Sequence, residues 1–203
     1  MKDPGTSYRL AVLASGSGSN AARFMSYFRG HPRIRVALVV SNNASAPVLQ
    51  RAREAGVPAK VMPGPAWDDS RTAESVFNQY GIDAIVLAGY MRLLPSFMIR
   101  KYPGRIFNIH PALLPRFGGK GMYGMHVHRA VIDSGARKSG ITIHLVNEKY
   151  DEGPILFQAT VDVLPDDTPV DLAVRVRQLE HDHYPRVVEG YLLQGRVPEK
   201  PAI

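Results

Sequence analysis

Arg9-Leu10-Ala11-Val12-Leu13-Ala14 runs without a break into Ser15-Gly16-Ser17-Gly18-Ser19-Asn20. A short apolar run with no polar face suits a strand buried on both sides, and glycines directly after it let the chain reverse at once. Beyond them Ala21, Phe24, Met25 and Phe28 recur at the i, i+3, i+4, i+7 spacing of one helical face. Asn20 is placed to cap this helix, and Gly30 and Pro32 to end it. Strand, tight turn and helix in this order open an α/β fold.

The same alternation continues outward from that stretch. Val36-Ala-Leu-Val-Val40 reads as a second strand, and Pro47 to Gly56 as a helix closed by its glycine. Lys60-Val-Met62 is a short third strand, Ser70 to Tyr80 a helix ended by Gly81, Ala84-Ile-Val-Leu-Ala88 a fourth strand and Arg105-Ile-Phe-Asn-Ile-His110 a fifth. Apolar strands joined by helical crossovers imply a mostly parallel twisted sheet with helices on both faces. The second half changes character. Gly140 to Val146 and Ile155 to Val163 alternate polar and apolar residues and have only a polar loop between them, which predicts an antiparallel C-terminal pair. Thr168-Pro169-Val170-Asp171 has the hydroxyl, proline and carboxylate of a helix start; the helix turns Leu172, Val176 and Leu179 inward and is expected to bend near Pro185. With no repeat or linker, a single α/β domain is expected over residues 8–203, preceded by a loose tail over residues 1–7.

Composition narrows the function classes. The chain has 203 residues, 45% hydrophobic and 21% charged, and no apolar run near the roughly 18–20 residues of a membrane helix. The first seven residues have no apolar segment of the kind a secretory signal carries. Absence of cysteine excludes a disulfide scaffold, a thiol nucleophile and a thiolate metal site, and fits a cytoplasmic setting. The net charge of +7 favours anionic partners, but the arginines are scattered rather than gathered into a nucleic-acid arm. Neither nucleic acid nor membrane is expected as a partner, and the chain is expected to act as a monomer or homodimer.

Three constellations could carry chemistry. The loop Gly16-Ser17-Gly18-Ser19-Asn20 at a helix start offers backbone N–H groups to a phosphate, or is a tight turn without a ligand. It is no dinucleotide fingerprint: the second strand ends in Ser41-Asn42-Asn43, without the acid that a ribose needs. Asn108-Ile109-His110-Pro111 puts an amide and an imidazole on one face of a strand at its C-terminal end, aimed as an oxyanion requires, or paired with each other. Asp151 in the following polar loop either orients an imidazole or sits in a solvated turn. Met125-His126-Val127-His128 looks like a metal motif, but i and i+2 do not share a helical face, so no metal is expected. His144 on an alternating strand reads as a core histidine, and His181 and His183 as rim residues. Met91, Leu93, Leu94 and Phe97 are core or the wall of a flat ligand.

Together these pieces resemble the glycinamide ribonucleotide formyltransferase family. The resemblance is carried by Ser15-Gly-Ser-Gly-Ser-Asn20, Ala88-Gly-Tyr-Met-Arg92, Asn108-Ile-His-Pro-Ala-Leu-Leu-Pro115, His144-Leu-Val146 with Asp151 following, and Gln178-Leu-Glu-His181, from about Tyr8 to Val197. It implies formyl transfer from 10-formyltetrahydrofolate, a co-substrate, to the amine of glycinamide ribonucleotide in purine biosynthesis. Asn108, His110 and Asp151 then look like the catalytic trio, with protonated His110 and Asn108 holding an oxyanion and Asp151 keeping His110 charged. Gly18, Ser19 and Asn20 look like the phosphate cradle, and Arg177 and Glu180 like nucleotide contacts. Met91, Arg92, Leu93 and Leu94, with Val146, Asn147, Glu148 and Tyr150, would line the folate pocket. Two departures stand out: Glu152 follows the aspartate where the family often has glycine, and Phe117 to Met125 is longer and richer in glycine than the usual link. The rival readings are a folate-dependent formyltransferase acting on another amine, such as a nucleotide-linked amino sugar, and a non-catalytic nucleotide-binding module.

Overall fold

The computed structural model describes residues 7–67 and 69–195, so residues 1–6 of the expected tail and the last residues of the resemblance, to Val197, lie outside the described residues. The chain divides into two compact units, Met1–Phe107 and Asn108–Ile203.

In the first unit, β1 (Tyr8–Leu13), β2 (Ile34–Ser41), β3 (Ala59–Val61) and β4 (Ala84–Leu87) alternate with α1 (Ser19–Tyr27), α2 (Pro47–Glu54) and α3 (Ser70–Gln79), followed by α4 (Ser96–Lys101). β1 lies parallel to β2 and to β4, and β2 parallel to β3. Leu10 to Leu13 have no exposed surface, as strands covered on both faces require. Ala21, Phe24, Met25 and Phe28 turn inward as their spacing predicts. The cap differs from expectation. α1 begins at Ser19 with Gly18 as its N-cap at φ 71°, and no side chain caps it. Gly18 takes this place because the turn is left-handed and a β-carbon there would collide with Val48 on α2. The six-residue α4 was not legible in the pattern.

β5 (Ile106–His110) crosses the division, and the strand order in the sheet is β3-β2-β1-β4-β5-β6-β7. The second unit continues with α5 (Met125–Asp133), β6 (Lys138–Leu145), β7 (Ile155–Asp162) and α6 (Pro169–Gln194). β6 and β7 pair antiparallel from Lys138–Asp162 to His144–Ile155, as the alternation predicts. Gly140 keeps this pair close, since a β-carbon there would overlap the Ala159 carbonyl. At α6 the Thr168 hydroxyl and the Asp171 carboxylate cap each other's backbone N–H reciprocally. The helix runs on through Pro185 to Gln194, with Leu172, Val176, Tyr184 and Val188 buried. Among the described residues no helix is long and apolar enough to cross a membrane.

Candidate active site

β1 ends at Leu13, and the chain passes at once through Ala14 and Ser15 to the glycine turn. Gly18, as N-cap, and Ser19 and Asn20 thus stand at the start of α1, the positive end of the helix dipole. Asn20 is buried at 8% exposure. After β4, the loop to α4 exposes Met91 and Leu93, turns Leu94 inward, and leaves Arg92 at the surface with its guanidinium packed over Gly64. Leu94 is buried and Phe97 half-buried, while Met91 and Leu93 present apolar surface.

In the second unit, Asn108, His110 and Asp151 come together. His110 closes β5 and is buried, with Nδ1 3.4 Å from the Asp151 Oδ2 and Nε2 2.7 Å from the Phe117 carbonyl oxygen. Asn108 directs its amide Nδ2 to the Asp151 Oδ1 at 3.4 Å and to the His144 Nε2 at 3.1 Å. Two residues along the strand is one step on the same face, which is why Asn108 and His110 reach one carboxylate. The loop carrying Asp151 is drawn in by Gly153, whose missing β-carbon lets the backbone lie against the Leu145 carbonyl. Asp151 adopts a left-handed φ of 55°, a conformation aspartate tolerates better than most residues. Glu152 points away and pairs with Lys149 at 3.1 Å, so the small residue this loop depends on stands at 153, not 152. Val146 and Asn147 are half-buried, while Glu148 and Tyr150 are exposed at the loop's outer side.

His144 is the member that sequence reasoning left in the core. It is buried, and its Nδ1 lies 2.9 Å from the Leu145 carbonyl. A carbonyl only accepts, so Nδ1 carries the proton, and a neutral ring presents Nε2 as acceptor to the Asn108 amide. A second proton would turn Nε2 into a donor aimed at Asp151 Oδ1, 3.6 Å away. Alternation along β6 told that His144 faces inward; the register that puts it beside Asp151 is a tertiary fact. Thr142 and Gln158 were also missed. The Thr142 hydroxyl donates to the Ala112 carbonyl at 2.7 Å and accepts from Leu114 N–H at 3.0 Å, while the Gln158 amide donates to the Leu114 carbonyl at 3.0 Å. These bonds hold the turn that follows His110.

Electrostatics divides the trio. Burial lowers the His110 pKa, and although Asp151 and the Phe117 carbonyl pull it upward, the net direction is below an ordinary histidine. Burial raises the Asp151 carboxyl, but the His144 ring, the charge of His110 and the Gly119 N–H together hold it below its ordinary value. Asp151 favours the imidazolium, and desolvation outweighs it. The glycine-rich stretch begins as part of this site: Gly119 N–H donates to Asp151 Oδ2 at 3.0 Å, and Phe117, at φ 58°, presents its carbonyl to His110.

The other predicted residues lie on helices. Arg177 is exposed and Glu180 half-buried, three residues apart on α6. His126 is exposed on α5 and His128 is buried, so they do not share a face. Among the described residues no group of three or more acids and histidines could hold a metal ion. Burial, then the charges of Arg177 and His110, push His128 down to about 4.

Comparison with known proteins shows what the whole chain is similar to. Residues 8–188 match the formyl transferase family. The chain is 44% identical over 195 residues to the chloroplastic phosphoribosylglycinamide formyltransferase of Arabidopsis thaliana, covering 93% of this chain and 66% of that one. It is 35% identical over 193 residues to the phosphoribosylglycinamide formyltransferase of Escherichia coli, covering 93% of this chain and 88% of that one. The crystal structure of glycinamide ribonucleotide transformylase 1 from Symbiobacterium toebii superposes with a TM-score of 0.82 at 39% identity, over 93% of this chain and 90% of that one. The chain spans 66% and 60% of the length of the two plant relatives it matches. By these measures the chain belongs to the formyl transferase family, in its phosphoribosylglycinamide formyltransferase branch.

Proposed function

We propose that this protein transfers the formyl group of 10-formyltetrahydrofolate to the amine of glycinamide ribonucleotide, a step of purine biosynthesis. The observation that carries the reading is the convergence of Asn108 and His110 on Asp151 at 3.4 Å each, in a chain of this family. The amine attacks the formyl carbon directly, a C–N bond forms, and the carbonyl electrons move onto oxygen. An amide and an imidazole N–H stabilise that oxyanion far more in a dry site than in water. Collapse breaks the bond to the folate nitrogen, which takes up a proton as the amine gives one up. Asp151 stabilises the imidazolium whenever His110 holds the transferred proton.

Both donors have partners within the chain. His110 Nε2 lies on the Phe117 carbonyl, and the Asn108 amide on Asp151 and His144. Substrate arrival must therefore exchange these partners for the formyl oxygen, which couples chemistry to movement of the stretch from Phe117 onward. In this reading Gly18, Ser19 and Asn20 hold the phosphate, and Arg177 and Glu180 the nucleotide. Met91, Arg92, Leu93 and Leu94 bind the folate, as do Val146, Asn147, Glu148 and Tyr150. The substrates are small molecules, the setting is the cytoplasm, and no step runs through a metal.

Incubation with 10-formyltetrahydrofolate and glycinamide ribonucleotide, following deformylated folate spectroscopically, tests the assignment. Turnover with both and none without the ribonucleotide is expected. Turnover only with another amine moves the chain to a different acceptor, and folate binding without turnover removes the catalytic reading. Activity abolished by EDTA and restored by zinc overturns the mechanism.

A further inference from the structure

We propose that the Ser15 hydroxyl is a positioning element that sets the folate loop against the phosphate loop, so that one side chain outside both pockets governs the binding of both substrates. The inference rests on the functional reading above. β1 stands between β2 and β4, and the chain, having built β2 and β3 on one side, crosses to β4 on the other. Ligands of open α/β sheets bind at the C-terminal ends of strands where the order reverses in this way. Ser15 is the second residue past β1 at that point. Its backbone N–H donates to the Gly89 carbonyl at 3.0 Å, its hydroxyl donates to Asn42 Oδ1 at 2.6 Å, and the Met91 N–H donates to the hydroxyl at 2.9 Å. Three loops, after β1, β2 and β4, therefore meet on one residue.

The direction of the hydroxyl proton follows from its partners. A backbone N–H only donates, so Met91 occupies a lone pair of the hydroxyl, and the hydroxyl proton is left for an acceptor. The Asn42 Oδ1 is that acceptor. Asn42 stands near the end of β2, where a dinucleotide-binding fold keeps an acid for ribose; here the side chain orients a neighbouring hydroxyl instead. The phosphate loop is tied from its other side as well, by Val48 N–H on the Gly16 carbonyl at 3.2 Å. Held at both ends, it offers the Ser15 side chain to the loop that carries Met91, Arg92, Leu93 and Leu94.

The test compares wild type with Ser15→Ala, Ser15→Thr and Asn42→Ala in steady-state kinetics with both substrates, in calorimetric titration of 10-formyltetrahydrofolate, and in thermal melts. Loss of one uncharged hydrogen bond that orders a loop corresponds to about a three- to tenfold change. Ser15→Ala is expected to raise both KM values by that factor with kcat within about twofold, and Ser15→Thr to recover most of the loss. Asn42→Ala should shift both KM values in the same direction by less, because it frees the hydroxyl without removing it. A shift in the ribonucleotide KM alone, no shift in either, or a fall in kcat that follows the melting temperature and is not rescued by threonine overturns the inference. Wild-type protein that neither binds the formylfolate nor turns over overturns the functional reading instead, and this inference with it.

Discussion

The backbone N–H of Gly119 and the Nδ1 of His110 address the same oxygen of Asp151, at 3.0 and 3.4 Å. The carboxylate that orients the imidazole is thus itself held by the first turn of the glycine-rich stretch. Gly119 sits at φ 95°, where a β-carbon is strained whatever the space around it. Gly119→Ala is expected to shift this amide off Asp151 and lower kcat by about tenfold, since hydrogen bonds to charged groups contribute roughly 1.5–3 kcal/mol. Steady-state kinetics beside urea unfolding checks it. An unchanged kcat would detach the stretch from the chemistry.

His110→Ala and Asp151→Asn should each lower turnover about a hundredfold or more, in line with the roughly 2.7–4 kcal/mol that oxyanion stabilisation supplies. Because Asp151 acts through His110 in the proposed mechanism, the double variant should lose little beyond the worse single one. Fully multiplicative losses in a kinetic double-mutant cycle would show two independent contributions.

Arg177 and Glu180 share one side of α6 at i and i+3. Glu180→Ala is expected to raise the KM for glycinamide ribonucleotide about ten- to a hundredfold, as loss of charge-assisted bonds to ribose hydroxyls predicts, and to leave the formylfolate KM nearly unchanged. Equal effects on both substrates, measured with each varied at saturation of the other, would remove the ribonucleotide contact from Glu180.

His128 joins His110 and His183 in setting the pH dependence of stability, since burial lowers all three below 6.5. Its pKa falls from 6.5 in the unfolded chain to about 4 in the fold, burial being the main cause. Between these values the unfolded state holds the proton and the folded state does not, so stability falls as pH drops from 6.5 towards 4. The shift corresponds to about 3 kcal/mol. The lowered carboxylates Asp69, Asp151, Asp167 and Asp171 lose their contributions only below their ordinary 3.8, outside this window. Denaturant melts at pH 7 and pH 4.5 should show a smaller drop for His128→Phe than for wild type. Parallel drops would mean that His128 does not titrate as buried.

Local chemistry made the alternating half of the molecule readable. Arg9 to Phe28 announced strand, turn and helix through composition alone, and Thr168, Pro169 and Asp171 announced the start of α6 because a reciprocal cap is a property of four consecutive residues. Asn108 and His110 were legible as a pair because strand alternation is local as well. Which carboxylate they meet was not: Asp151 reaches them through a turn that depends on Gly153 and on a left-handed φ, and His144 through the β6–β7 register. The cap of α1 was misread at Asn20 because the deciding contact, Val48 against Gly18, spans thirty residues. The bond between Ser15 and Met91 joins loops 76 positions apart and has no trace in either loop's sequence.

The Phe117 carbonyl on His110 Nε2 also has a meaning for inhibitor design. An inhibitor that aims a carbonyl or phosphonate at this imidazole does not meet an idle donor; it meets an incumbent. Its apparent affinity is its intrinsic affinity multiplied by the fraction of molecules in which Phe117 has let go. Compounds that also seat themselves against the displaced backbone recover that loss, whereas those optimised only against the imidazole keep bearing it. Potency in this site is decided as much by eviction as by fit.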